Sequence, residues 1–157
     1  MQLKPKNPLL FFDIESTGLN IATDSIVELS FVKIMPTENG ANETIVKTWR
    51  LCPWDYVHNC QKKMDPGAEK VHGISDADVA GCPKFMDIVS EVGTFMADCD
   101  LAGFNSAKFD LPMLAEEIER VRLHKHRDFR INLHEKKMVD VQTIYHFKEP
   151  RNLKAAY

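Results

Sequence analysis

The chain has 157 residues, of which 44% are hydrophobic and 27% charged. This is the ordinary balance of a globular domain and argues against a disordered chain. A domain of this length buries about 70% of the surface that its unfolded chain exposes, so one core holds it without disulfides. No apolar run approaches the roughly 20 residues of a membrane span, and residues 1–7 lack the pattern of a signal peptide. The sequence therefore predicts one domain, residues 1–157, with no membrane partner.

The net charge of −3 hides an uneven distribution of charged residues. Residues 1–117 carry 10 Lys and Arg against 18 Asp and Glu, whereas residues 118–157 carry 10 against 5. An acidic part beside a basic part is compatible with cation binding next to a surface that faces a polyanion. Solvated helix faces explain most such runs equally well, so charge alone leaves both interpretations open.

The cysteines give no sign of a disulfide framework or a zinc site. They lie far apart and form neither a CxxC pair nor a Cys/His pattern with zinc-ligand spacing: Cys52, Cys60, Cys82 and Cys99. We interpret them as free thiols of a reducing compartment and expect a cytoplasmic protein.

The N-terminal third has the pattern of a β-sheet. Residues 9–15 form a short apolar run whose two alternating faces both begin apolar, as in a central strand that is covered twice. Residues 25–35 and 43–51 are also rich in β-formers, with Pro36 and the turn at residues 38–40 between them. The pattern predicts three antiparallel strands.

From Phe85 onward the apolar period changes to that of a helix. Apolar residues recur at helical spacing along one face: Phe85, Ile88, Val89, Val92 and Met96. This predicts helices at 85–97 and 111–125, the second capped by Asp110 with Pro112 in its first turn. Residues 101–104 and 138–145 predict a further strand and then a strand with a helix. The fold class is therefore α/β, a mixed sheet flanked by helices.

Two carboxylates interrupt the first strand. Asp13 and Glu15 lie two residues apart, so they point to the same side, on the face where Leu9 and Phe11 predict burial. At about 6 Å and an effective dielectric near 20, their repulsion is on the order of 3 kcal/mol. A hard divalent cation such as Mg²⁺ or Mn²⁺ offsets such repulsion well. The alternative is a strand end at which both side chains simply point into water.

These residues belong to the segment FDIESTGL, residues 12–19, which resembles the first signature of the DEDD 3′→5′ exonuclease superfamily, FDxExTG. Further along, VHGIS at 71–75 resembles the VHGIT segment of relatives of the DNA polymerase III epsilon subunit. AGFNSAKFD at 102–110 resembles the second signature, GxNxxxFD. Three matches in the family's order are specific. The resemblance implies a ribonuclease-H-like fold that hydrolyses nucleic-acid phosphodiesters from the 3′ end.

The resemblance also assigns roles residue by residue. Asp13, Glu15 and Asp110 would be metal ligands and catalytic residues for two Mg²⁺ or Mn²⁺ ions. The residues that would bind the terminal nucleotide are Thr17, Gly18, Leu19, His72, Asn105 and Phe109. Each has a plainer alternative: Asp110 as a helix cap, Asn105 and His72 as turn residues, Phe109 as core and Leu19 as a half-exposed leucine.

The third signature of the family, H-x-x-x-x-D or Y-x-x-x-D, does not occur in these 157 residues. His134 and Asp140 are one position too far apart, and Tyr145 is followed at the fourth position by Glu149. Residues 139–143 and 151–157 resemble the segments that precede that signature, and Asp140 is better interpreted as a helix N-cap. We therefore expect a partial domain, incomplete at its C-terminus because of a trimmed or artificial end, that binds metal weakly and cleaves poorly.

Three functions remain open at this point. The first is a two-metal 3′→5′ exonuclease acting on the 3′ end of single-stranded DNA or RNA, with a polymerase or repair complex as a possible class of partner. The second is an inactive nucleic-acid binding module of the same fold that uses the basic C-terminal part. The third is another ribonuclease-H-like enzyme, such as an endonuclease.

Overall fold

A five-stranded mixed sheet forms the centre of the protein in a computed structural model that describes residues 6–37, 42–124 and 131–149. Its strands lie in the order β3-β2-β1-β6-β7. Their bounds are β1 Leu9–Ser16, β2 Ile26–Pro36, β3 Asn42–Arg50, β6 Asp100–Gly103 and β7 Met138–Asp140. The first three strands are antiparallel neighbours, as predicted, while β6 runs parallel to β1 and β7 parallel to β6.

Alternation along β1 explains which face of the sheet carries the core. Leu10, Phe12 and Ile14 are all buried, and they pack against apolar residues of two helices. The opposite face starts buried at Leu9, but Asp13 is exposed and Glu15 half-exposed. The prediction of a strand covered on both faces is therefore wrong beyond Leu9, because that face opens to solvent where the carboxylates begin.

Two helices cover the core face. They are α3, Phe85–Met96, and α4, Asp110–His124. The apolar face predicted for the first is buried in full: Phe85, Ile88, Val89, Val92 and Met96. In α4 the buried residues include Glu117, a charged side chain on an otherwise apolar stripe. Both helices were predicted from their periodicity.

The remaining elements are short. They are a hairpin of β4, Trp54–Asp55, and β5, Cys60–Gln61, followed by α1, Pro66–His72, α2, Asp76–Val79, and, at the end of the described chain, α5, Val141–Lys148. Asp140 caps α5 as predicted, because its side chain accepts hydrogen bonds from the amides of Gln142 and Thr143. Asp110 does not precede α4 as a cap; it is the first residue of the helix.

Some sequence predictions fall outside the described residues. These are the turn at 38–40, the last predicted residue of the helix at 111–125 and the segment 151–157. All four cysteines are free thiols. Among the described residues, no helix has the length and apolar character that crossing a membrane requires.

Candidate active site

The C-terminal half of β1 places two carboxylates at one edge of the sheet. Asp13 and Glu15 share one face of the strand. Phe12, before Asp13, and Ile14, between the two carboxylates, point to the other face and are buried in the core, which fixes the strand. The register of β1 against β2 shifts between Glu15 and Ser16, where Val27 is the extra residue on β2, and β1 ends one residue later, at Ser16. Bulges of this kind commonly re-aim side chains next to functional sites.

Asp110 joins this pair from the other end of the sequence. Strand β6 pairs with β1 only from Leu9 to Phe11, after which the chain turns and begins α4 at Asp110. Burial raises the pKa of the Asp110 carboxyl, its own amide and the Ile14 backbone lower it, and the charge of Asp13 raises it. Electrostatic and backbone interactions therefore couple Asp110 to Asp13 and Ile14 at the same edge.

The other two carboxylates have raised pKa values as well. Although Asp13 is exposed as a whole residue, its carboxyl group is partly buried, and this is the main cause of its raised pKa, followed by the charge of Glu28, with the Ile14 backbone opposing them. For Glu15 the main cause is again burial; His72 lowers its pKa, and the charges of Asp13, Glu28 and Asp110 raise it. The site thus holds like charges that repel one another, which is frequent where a ligand supplies the missing charge.

Glu28 is a fourth carboxylate at this site that the sequence analysis missed. It lies directly opposite Glu15 in the antiparallel register of β1 and β2, so both side chains are on one face. Its Oε2 is 2.7 Å from Arg50 Nη2, so its charge is balanced. Counting back from the Ser16–Ile26 pair would have placed Val27 opposite Glu15, because the bulge between Glu15 and Ser16 shifts the register by one residue.

The loop after β1 carries the predicted nucleotide-binding residues. Thr17 is buried, its Oγ1 donates to Asp24 Oδ1 at 2.9 Å, and the same oxygen accepts from the Ser25 amide at 3.0 Å. Its hydroxyl is therefore used within the loop, and Thr17 is not among the described residues that line the neighbouring cavity. Gly18 and Leu19 do line it, and Leu19 is 85% exposed at its mouth.

His72 lies at the end of α1 and contacts the strand that carries the carboxylates. Its Nδ1 accepts a hydrogen bond from the Ile74 amide at 3.0 Å, which leaves Nε2 to donate to the Ser16 carbonyl at 3.2 Å. The next residue, Gly73, has a φ of 73° and ends the helix in the left-handed conformation. His72 is thus both a turn residue and a lining residue of the cavity.

Asn105 and Phe109 lie in the connection from β6 to α4. Asn105 has a φ of 56°, which fits its interpretation as a turn residue, and its amide donates to Asp140 Oδ1 at 3.0 Å. It is not among the described lining residues of the cavity. Phe109 is half-buried against the core, as one alternative predicted, and it also lines the cavity; its contact with a nucleotide stays a prediction.

The cavity beside Glu15 has a volume of about 600 Å³. Helix α1 and the residue before it form one wall, which the sequence analysis did not foresee, with Asp65, Gly67, Ala68 and Val71. The loop after β1 forms the opposite wall. A volume of this order is typical of sites for small ligands. A larger cavity of about 790 Å³, near Asp98 and Lys136, is not lined by Asp13, Glu15 or Asp110.

The donor set fits a hard divalent cation in its chemistry. Asp13, Glu15 and Asp110 offer only oxygen ligands, and none of them forms an ion pair with Lys, Arg or His within the parts of the chain that the structure describes. In those same parts, no three His, Cys, Asp or Glu side chains are spaced to hold one metal ion. The fit rests on the charge and chemistry of the donors.

Comparison with known proteins agrees with the fold. The family described as Exonuclease (RNase_T) matches residues 10–157. The chain is therefore a member of the exonuclease family. The product-bound structure of exonuclease I superimposes with a TM-score of 0.70 at 14% identity, covering 94% of this chain and 33% of that one. The E. coli exonuclease I complex with a dT13 oligonucleotide gives the same TM-score and identity, covering 90% and 29%.

These structures share the ribonuclease-H-like fold with this chain, as the sequence predicted. Among curated proteins, a PolC-type DNA polymerase III from Oceanobacillus iheyensis is 28% identical over 120 residues. That match covers 76% of this chain and 8% of the polymerase, so the chain spans a small part of its relative's length.

Proposed function

We propose that this chain is a metal-dependent 3′→5′ exonuclease that hydrolyses nucleic-acid phosphodiesters by a two-metal mechanism. The observation that carries the proposal is the set of three mutually repelling carboxylates, Asp13, Glu15 and Asp110, of which Glu15 lines a cavity of about 600 Å³. These three residues would hold two Mg²⁺ or Mn²⁺ ions. When bound, such ions supply an activated water and charge that stabilises the departing 3′-oxygen.

The residues of the chain bind and orient the 3′ end of the nucleic acid. Leu19 at the mouth of the cavity and Phe109 in its wall offer apolar contacts to the terminal base, which are worth about 1–3 kcal/mol per stacked base. His72 holds the Ser16 carbonyl and so fixes the strand next to Glu15. Because both of its ring nitrogens are engaged, His72 is a positioning group and not the general base.

The proposed substrate is the 3′ end of single-stranded DNA or RNA. The oligonucleotide complex of exonuclease I supports this choice, because that protein shares the fold. A polymerase as partner is part of the proposal, supported by the relationship to a PolC-type polymerase. Mutually repelling carboxylates at the sheet edge favour a substrate whose phosphates arrive together with cations.

The experiment follows single-stranded DNA and RNA, each labelled at the 5′ end, in the presence of Mn²⁺ or EDTA. We expect a ladder of shortening products with Mn²⁺ and none with EDTA. The same strands labelled at the 3′ end should lose their label in the first step, which establishes the direction. Internal cuts in a circular strand would instead indicate an endonuclease, and the proposal would be wrong.

Where the gene continues into an H-x-x-x-x-D segment, a chain extended through that segment is the matched comparison. No histidine of these 157 residues has an Asp five positions later, and loss of a positioned general base typically costs about 10² to 10⁴ in rate. We expect the extended chain to be faster by a factor in that range. Equal and rapid trimming by both chains would show that the base lies within the 157 residues.

A binding module without catalysis is the second candidate, and the basic balance of residues 118–157, 10 Lys and Arg against 5 Asp and Glu, favours it. Such a module would retain the oligonucleotide in EDTA, because its affinity would come from basic side chains and phosphates. Binding that survives EDTA, with no cleavage by either chain in Mn²⁺, would decide for this candidate.

A further inference from the structure

A buried ion pair on α4 lies directly behind the loop that follows β1. Glu117 is 2% exposed, and its Oε1 accepts hydrogen bonds from the Ile26 amide at 3.2 Å and from Arg120 Nη1 at 3.3 Å. The Arg120 side chain is only 12% exposed. An ion pair buried this fully often adds no net stability over apolar residues of similar volume. Its presence in the core therefore calls for a role beyond packing.

The guanidinium of Arg120 holds the main chain of residues 21–25. Nη2 donates to the Ile21 carbonyl at 2.7 Å, and Nη1 donates to the Asp24 carbonyl at 2.5 Å and to Ser25 Oγ at 3.1 Å. A single planar group thus fixes both ends of this segment. A lysine cannot reproduce the arrangement, because its ammonium lacks the fork of donors.

Asp24 extends this constraint to the wall of the cavity. Its Oδ1 accepts from Thr17 Oγ1 at 2.9 Å, and its Oδ2 accepts from the Asn20 amide at 2.8 Å. Gly18 lies so close that a Cβ added there would be 2.5 Å from Asp24 Oδ2. The positions of Gly18 and Leu19 at the cavity therefore depend on Asp24, whose carbonyl Arg120 holds.

We propose that Arg120 and Glu117 are positioning residues for the substrate, which fix residues 17–24 in the conformation that receives the terminal nucleotide. The inference rests on the proposed function, because it assumes that the cavity takes that nucleotide. Arg120 contacts the loop and not the carboxylates Asp13, Glu15 and Asp110. Its loss therefore changes the affinity for the 3′ end more than the rate of bond cleavage.

The test compares Arg120→Met, Arg120→Lys and Arg122→Met in the full chain, with Mn²⁺ and a 5′-labelled single-stranded oligonucleotide. Arg122 is the matched control, because it lies on the same helix and pairs with Glu119. We expect Arg120→Met to raise KM about tenfold or more with kcat changed less than about threefold. Arg120→Lys should raise KM to an intermediate value, and Arg122→Met should leave both constants unchanged.

Two outcomes would overturn the inference: a fall in kcat at constant KM, or no change in either constant for a folded Arg120→Met chain. If that variant fails to fold, Arg120→Lys decides alone. A rise in KM without a matching fall in kcat then supports the inference, and unchanged kinetics reject it.

A binding measurement that needs no catalysis separates failure of this inference from failure of the proposed function. If the unsubstituted chain removes no nucleotides, calorimetry measures the affinity of the same proteins for deoxythymidine 5′-monophosphate in Mn²⁺. A loss of about tenfold or more in Arg120→Met, with Arg122→Met unaffected, supports the inference without catalysis. Equal affinities, or no binding by the unsubstituted chain, reject it.

Discussion

Glu117 and the carboxylates at the end of β1 are two acidic regions of the same fold whose charges are balanced differently. Burial raises the pKa in both, but Arg120, the Ser25 side chain and the Ile26 amide oppose the shift at Glu117. At Asp13, Glu15 and Asp110, neighbouring carboxylates reinforce the shift. The fold thus supplies a positive side chain, Arg120, next to the structural carboxylate of Glu117. At the end of β1, where Glu15 lines the cavity, the charge of the carboxylates remains for a ligand to balance.

The strongest test of this contrast is Glu117→Ala. The substitution removes the buried partner of Arg120 and leaves only the more exposed Glu116, and loss of one member of a buried pair typically costs about 3–5 kcal/mol. In a chain of this size the melting temperature should fall by about 10 °C. Glu116→Ala is the matched control, because Glu116 contacts the same guanidinium from a more exposed position and a surface pair contributes about 1 kcal/mol or less. Equal melting temperatures for the two variants would contradict the contrast.

Asp110→Asn should lower the activity strongly and leave the stability of the folded chain unchanged or slightly higher. We expect Mn²⁺-dependent trimming to fall at least about 100-fold, equivalent to about 2.7 kcal/mol, because loss of even an indirect metal contact costs 10-fold to 100-fold. In EDTA the variant should melt at or above the temperature of the original chain, since one repelling charge is gone. Asp98→Asn, at an exposed carboxylate outside the cavity beside Glu15, should change neither quantity. Trimming at the original rate would remove Asp110 from the site.

The pH dependence of stability sharpens the comparison further. The pKa values of Asp13, Glu15 and Asp110 lie above the ordinary 3.8 for aspartate and 4.5 for glutamate. Between the unfolded and folded values the native state binds more protons, so the free energy of unfolding falls as the pH rises. In EDTA, urea denaturation should show this fall from about pH 4 upward relative to the variant Asp13→Asn, Glu15→Gln, Asp110→Asn.

At neutral pH, Mn²⁺ at 100 times its Kd should restore about 2.7 kcal/mol in the original chain and much less in the triple variant. Stability curves that run parallel in EDTA would mean that the three carboxylates do not repel one another in the folded state.

The smallest expected effect concerns His72, whose ring contacts the main chain next to Glu15. His72→Ala removes the hydrogen bond to the Ser16 carbonyl and should cost about 1 kcal/mol, or about 2–4 °C in melting temperature. His72→Gln retains a side-chain donor and is the matched control. A melting temperature of His72→Ala equal to that of His72→Gln would show that this contact adds little.

The elements that repeat a period were predictable from the sequence. Strand β1 alternates with period two, β2 and β3 are rich in β-formers, and the apolar residues of α3 recur at helical spacing over its twelve residues, Phe85–Met96. The cavity wall on α1 was not predicted, because seven residues without a buried side chain carry no periodic signal. The start of α4 was predicted one residue too late, at 111 with Asp110 as its cap, since a cap and a first helical residue have the same neighbours in sequence.

The site was predictable as far as residue types and local geometry determine it. The alternation of β1 gave Asp13 and Glu15 a common face, but exposure depends on what covers that face, which a single strand cannot reveal. Glu28 required the register of two strands, and the hydroxyl of Thr17 was assigned to substrate because its partner, Asp24, is seven positions away. Glu117 had a usable signal: it lies on the same helical face as Leu114 and Val121.

The pairing of β1 has a consequence for the order of folding. With β2 this strand pairs along its full length, Leu9–Ser16, across a short connection, whereas with β6 it pairs only from Leu9 to Phe11, some 90 residues later in the chain. Closing the long loop costs more entropy than closing the short one, and its few pairs return less. We therefore expect the three-stranded meander to form first, so that a nascent chain presents Asp13 and Glu15 well before Asp110 arrives to complete the acidic set.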